Sequence, residues 1–250
     1  MLRTCLFFLL CLPKWLGAQE DTSSTEGGRV TMVGGGQALR VAMVQDADAL
    51  IKELDRLVGG QKGKPFPIYL QLYPAVEGKA AAIKRQFFVS DQGGSKYRLQ
   101  LDLRLGPGNS FDRREFERRL LEMLLMERTL RSLPPEETAE RVEIRPWLVD
   151  GLLEALAWRN GRGDRRMYAS LMESGGWVEV GKLVDRTDTQ GLDVLSRELF
   201  RASSGALVMA LMSQSQGQES MSEFLGKVAV FEGEQLTLLR THFPQVNLGP

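Results

Sequence analysis

The sequence predicts an α+β fold in which a small N-terminal β-sheet with helices is followed by a mostly helical lobe. Three observations carry that expectation. Short apolar and aromatic runs bounded by Gly and Pro cluster before Gly106-Pro107-Gly108, longer stretches of helical period follow it, and no internal repeat is visible. At 250 residues and 43% hydrophobic content, the chain is long enough to bury a sizeable core.

The N-terminus sets the compartment. Arg3 precedes an uninterrupted apolar run from Cys5 to Leu12, and Pro13, Lys14, Trp15, Leu16, Gly17 and Ala18 follow. A basic start, a short apolar stretch and a small residue at the cut describe a secretory signal peptide over residues 1–18. The run is too short to cross a bilayer, which takes about 20 apolar residues. The protein is therefore expected to be exported, either periplasmic or secreted. Both cysteines, Cys5 and Cys11, lie inside this segment, so the mature chain is expected to lack disulfides, thiol catalysis and Cys-ligated zinc.

The elements follow in order. Residues 19–28 are polar and small and read as a flexible leader, and 29–250 as one domain with a sheet lobe over 29–110 and a helical lobe over 111–250. Arg29 to Val33 fits a short strand closed by Gly34-Gly35-Gly36, a turn that lacks the GxGxxG spacing of a dinucleotide site. Asp46 to Val58 places apolar residues on one helical face, and Gly59-Gly60 stops it. Ile68 to Leu72, Phe87 to Val89 and Tyr97 to Leu103 read as strands, the last with clean alternation. Asp112 with Glu115 makes a capping box for a helix running to Leu133, where Pro134-Pro135 ends it. Pro146 opens the next helix, which ends near Asn160-Gly161. Two or three more follow, one with a capping box at Ser220 and Glu223, and His242-Phe243-Pro244 ends the last.

Two helices carry the functional reading. Leu120-Leu121-Glu122-Met123-Leu124-Leu125-Met126 is apolar around nearly its whole circumference, so Glu122 is a carboxylate in a buried helix, a costly position unless it is paired. The next helix begins Trp147-Leu148-Val149-Asp150-Gly151-Leu152-Leu153-Glu154, and a Gly inside a helix signals a second backbone close by. This order, strands and then a buried helix followed by a helix opening Trp-Leu-x-acid-Gly-x-x-Glu, resembles the gluzincin metallopeptidases, the thermolysin-like superfamily. The resemblance covers about residues 66–250. It implies that the HExxH zinc motif falls on Leu121-Glu122-Met123-Leu124-Leu125 and the third zinc ligand on Asp150.

The departures decide what the resemblance implies for chemistry. Leu121 and Leu125 have no lone pair for a metal, and a catalytic zinc needs three protein ligands. The implied protein is a zinc-free peptidase relative, with no catalytic residue, cofactor or metal, which uses the groove between its lobes to bind an unidentified peptide or protein partner. An alternative of a different class is a metal-independent envelope hydrolase using Glu122 with Asp150, or with Glu154, as its carboxylate pair. A purely structural role is a third.

The remaining chemistry is sparse. The lone histidine, His242, has no G-x-S-x-G serine to serve and reads as a helix-end residue facing the last carbonyls. Basic and acidic residues number 32 each, so no global field favours nucleic acid or an anionic membrane. Arginine outnumbers lysine 23 to 9. Arg113-Arg114 and Arg118-Arg119 alternate with Asp112, Glu115 and Glu117 in a pattern suited to pairing on a helix surface. The second arginine cluster, Arg159 to Arg166, reads as a solvated loop after a helix end.

Overall fold

Alternation builds the sheet. In the computed structural model, which describes residues 21–61, 63–89 and 96–244, the strands are β1 (Thr22–Ser24), β2 (Val30–Gly34), β3 (Ile68–Tyr73), β4 (Ala82–Val89) and β5 (Tyr97–Arg104). They form one mixed sheet ordered β1-β2-β3-β5-β4, with β2, β3 and β5 parallel and the edge strands β1 and β4 antiparallel to their neighbours. Ile68, Leu70 and Leu72 of β3 register with Leu99, Leu101 and Leu103 of β5, and all six are buried. The alternate positions of β5 carry Arg98, Gln100, Asp102 and Arg104, which retain solvent contact. Parallel strands are usually apolar on both faces; this sheet buries one.

Helices α1 (Gln37–Val58) and α2 (Arg113–Ser132) pack on the sheet, α1 along β1 and β2 and α2 along β3, β5 and β4. Helix α1 begins two turns before the Asp46 start expected from the sequence. Its buried stripe Arg40, Met43, Ala47, Leu50, Leu54, Leu57 keeps helical spacing throughout. The upstream turns were hidden because an arginine opens the stripe. Arg40 donates to the carbonyls of Gly34 and Gly35 at 3.1 and 2.6 Å, closing the glycine turn that joins β2 to α1. Gly59, at φ 81°, caps the other end of α1.

The leader reading needs correction over its described part. Thr22–Ser24 is strand β1, paired with Thr31–Val33, and Glu26–Gly28 makes a 3-10 turn. Polar composition concealed it because its stabilisation comes from backbone pairing and from Thr25, whose Oγ1 accepts from the Val30 N–H at 2.9 Å. The proposed signal peptide, residues 1–18, lies outside the described residues. Strand β4 likewise starts at Ala82, five residues before the expected Phe87.

The first two helices after Gly108 match the caps written in the sequence. The Asp112 side chain accepts from the Glu115 N–H at 3.0 Å at the start of α2. Every residue from Leu120 to Leu130 is buried. Pro146 opens α3 (Pro146–Arg159), with Asn160 at its end. Five helices follow among the described residues, more than the two or three expected: α4 (Arg165–Ser174), α5 (Val180–Asp185), α6 (Val194–Met212), α7 (Gly217–Leu225) and α8 (Gln235–His242). The expected capping box at Ser220 is also corrected, since α7 starts at Gly217 and places Ser220 inside its first turn. One continuous apolar core runs from the sheet through α1, α2, α3, α6, α7 and α8. No helix among the described residues is long and apolar enough to cross a membrane.

Candidate functional site

Gly151 sets the spacing of the site. A Cβ there would stand 2.6 Å from both the Ser204 carbonyl oxygen and Val208 Cγ2 on α6, so the backbones of α3 and α6 meet at this point. Gly205 reciprocates from α6, where a Cβ would meet Glu154 Cβ at 2.7 Å. The sequence reading of Gly151 as a close approach therefore holds. This packing turns Asp150 and Glu154 of α3 toward the arginines of α2 and α6.

Each acid on these helices meets a guanidinium. Glu122, 6% exposed, pairs with Arg85 and accepts from Arg119 Nη1 at 3.1 Å. Arg85 reaches it from the edge strand β4, where its register opposite Leu101 places it on the helix-covered face of the sheet. Arg119 also donates to Glu115 at 2.7 Å, one helical turn back. Asp150 accepts from Arg118 Nε at 2.9 Å, which brings α3 against α2 one turn before Glu122. Glu154 lies 2.6 Å from Arg201 Nε of α6, and Arg201 also pairs with Glu198 at 2.7 Å.

Burial acts against these carboxylates. It pushes Asp150 above its ordinary value, with Arg118 opposing the rise. Glu154 is raised in the same way by burial, against the pull of Arg114, with Glu198 and Asp150 adding to the rise. The Tyr168 hydroxyl, beside Glu154, is driven strongly upward by its own burial and by that neighbouring carboxylate.

A groove opens over this ion-pair ladder as three adjoining pockets of about 560, 540 and 500 Å³ that share Arg118. Glu122 lines the second, against Arg85 and Arg119, while Asp150 lines the first and third. The two carboxylates thus belong to one groove, Glu122 held by Arg85 and Arg119 and Asp150 by Arg118.

Leu121 and Leu125 lie wholly inside the core. Neither carries a donor atom, and Glu122 and Asp150 are already engaged by guanidiniums, so these residues do not fit a zinc ion. Among the described residues no three His, Cys, Asp or Glu side chains are grouped to hold a metal.

His242 departs from the sequence reading. It ends α8, but its ring is buried, packed edge-on to Phe224 with centroids 6.1 Å apart, and its Nδ1 lies 3.7 Å from Glu223. Nε2 has no hydrogen-bond partner. Burial and nearby Lys227 lower its pKa against the pull of Glu223, and its ring packs on Phe224 rather than serving as a cation for the helix carbonyls. The arginines were also misjudged. Arg113 pairs with Glu117 and Arg119 with Glu115 along the helix, as alternation suggested. The same run, however, also supplies the partners of Asp150 and Glu122. The signal that pointed there was the buried Glu122 itself, which required a cation from outside its own apolar stretch.

The groove and sheet define an α+β protein with a cleft of paired guanidiniums and carboxylates between α2, α3 and α6. No family model matches the chain, and neither does any curated protein.

Proposed function

We propose that this chain is an exported, zinc-free relative of the gluzincin metallopeptidases that cleaves nothing and uses the groove along α2 and α3 to bind a peptide or protein partner. What carries the reading is the exchange of metal for arginine. The resemblance puts a metal beside Glu122 and Asp150, and there Glu122 meets Arg85 and Arg119 while Asp150 meets Arg118. A guanidinium supplies positive charge and five fixed donors, but no open coordination site to polarise a water. The charge demand of the acids is met while the chemistry is absent.

The test is metal content and turnover together. Mass spectrometry of the purified mature chain should give zinc far below one per chain, and a quenched fluorescent peptide should stay intact with or without added zinc. Zinc approaching one per chain, or cleavage stopped by a chelator, overturns the reading.

One observation favours the metal-independent hydrolase. Glu122 and Asp150 line adjoining parts of one groove, and burial raises Asp150 above its ordinary value against the pull of Arg118, the direction a general acid needs. Glycan or peptidoglycan cleavage that disappears in Glu122→Gln would establish it in place of the first reading.

A further inference from the structure

We propose that the pocket between the start of α2 and the start of α6 is the recognition end of the groove, and that it takes an acidic peptide segment with an apolar residue beside its carboxylates. This rests on the peptide-binding reading above and names the class of peptide.

Four carboxylates, Asp112, Glu115, Asp150 and Glu198, share that pocket with five arginines: Arg114, Arg118, Arg119, Arg197 and Arg201. Three of them are engaged by Asp150, by Glu115 with Glu122, and by Glu154 with Glu198. The other two keep their donors. Arg114 approaches Glu198 only at 4.0 Å, the outer limit of an ion pair. Arg197 donates to the Leu192 carbonyl at 3.1 Å and meets no carboxylate among the described residues. Both side chains are exposed on neighbouring helices and face one cavity of about 500 Å³. Planar guanidiniums with free donors bind a carboxylate through two parallel hydrogen bonds.

The rim selects among anions. Val194 lines the pocket and Leu195 follows it on the first turn of α6, and at 80% and 79% exposed they are the most exposed large apolar side chains described. Two adjacent aliphatic side chains left in water beside two guanidiniums that no carboxylate holds closely suit a ligand that brings its own apolar group. Inorganic phosphate has none. A nucleic acid needs a broad positive field, and this chain carries 32 acidic against 32 basic residues. A peptide with carboxylates flanking an aliphatic residue meets both features at once.

Anisotropy on the mature chain tests it with fluorescein-labelled peptides carrying Asp-Glu-Leu-Leu-Glu-Asp, Lys-Lys-Leu-Leu-Lys-Lys or Ser-Ser-Leu-Leu-Ser-Ser. The acidic peptide should bind tightest, and more weakly as salt rises. Arg197→Gln and Arg114→Gln should each weaken it about tenfold, as loss of a charge-assisted contact does. Val194→Ser, at the pocket wall, should weaken it by a smaller factor, and Arg166→Gln, an exposed arginine outside the pocket, should change nothing. All four substitutions are at exposed positions, and unchanged circular dichroism confirms that the fold is kept.

The acid preference is overturned if the serine or lysine peptide binds as well as the acidic one, or if Arg197→Gln leaves acidic binding intact; peptide binding itself then survives. If inorganic phosphate displaces the acidic peptide at equal affinity, the pocket is a simple anion site and the proposal falls. If no peptide binds, the broader peptide-binding reading falls with it.

Discussion

The two ends of α2 use the same residue types for opposite ends. Toward its C-terminus, Glu127 and Arg128 are essentially sealed from solvent. Glu127 accepts from Arg29 at 2.9 and 3.2 Å and from the Phe66 N–H at 3.1 Å, and lies 3.1 Å from Arg131. Arg128 donates to the Gly59 carbonyl at 2.9 Å and to Ser222 at 2.7 Å, which ties α2 to the end of α1 and to α7. Toward its N-terminus, Arg118, Arg119 and Glu122 make pairs of similar length, but their partners open onto the groove. One end of the helix staples three elements together. The other holds cations at a surface where a ligand can reach them. Accessibility, rather than the number of charges, separates a structural network from a recognition surface.

Removing one partner from each end gives the sharpest contrast. Glu127→Ala leaves the buried Arg29 with only Asp55, at 3.4 Å, and strips an acceptor from Phe66, so it should destabilise by about 3 kcal/mol. A lowered midpoint in urea unfolding is the readout. If that midpoint moved little, the buried network would not be the staple described. Close behind is Gly151→Ala, whose added methyl has 2.6 Å to the Ser204 carbonyl oxygen. Helix propensity gains about 1 kcal/mol from the change. Forcing α3 and α6 apart costs more, so a net loss of about 1–3 kcal/mol is expected in thermal unfolding. Gly181→Ala on α5, where a Cβ meets only Glu179 Oε1 at 4.0 Å, should show the opposite sign.

The sequence was legible wherever a local signal decided the outcome. Asp112 capping α2, Pro146 opening α3, Gly59 closing α1 and Gly151 marking a helix–helix approach are each the work of one residue's stereochemistry. It was silent where stability came from distant partners. Thr22–Ser24 is a strand only because β2 lies beside it, and the start of α1 was masked because Arg40 turns inward to satisfy two glycine carbonyls. The candidate site divides the same way. Glu122 and Asp150 stood out as acids in apolar helices. Arg85 was invisible, since its role depends on the register of an edge strand against β5, 37 residues from the carboxylate it meets.

Glu122→Gln tests the groove end of α2. Arg119 keeps Glu115, and both arginines are about 30% solvent-exposed, so water replaces what the carboxylate gave. The expected loss is about 1 kcal/mol, well below that of Glu127→Ala on the same helix. Equal losses at the two positions would erase the distinction between the two ends.

Asp150→Asn has the smallest effect and isolates what burial does in the groove. Burial holds the folded-state pKa of Asp150 above its ordinary 3.8 in spite of Arg118. The folded chain therefore keeps this proton to higher pH than the unfolded chain does. Its contribution is fully present below 3.8 and is lost as pH rises through the raised value, above which stability levels off. An asparagine has no proton to lose, so the variant should show a shallower fall in urea midpoint as pH rises above about 4. The slope should not vanish, because Glu154 is raised too, but part of that rise comes from the Asp150 charge and will relax with it. A slope identical to that of the parent chain would mean that Asp150 is solvated rather than shut in against Arg118. The groove would then be open at its α3 wall, and its acids would be as available to a ligand as its arginines.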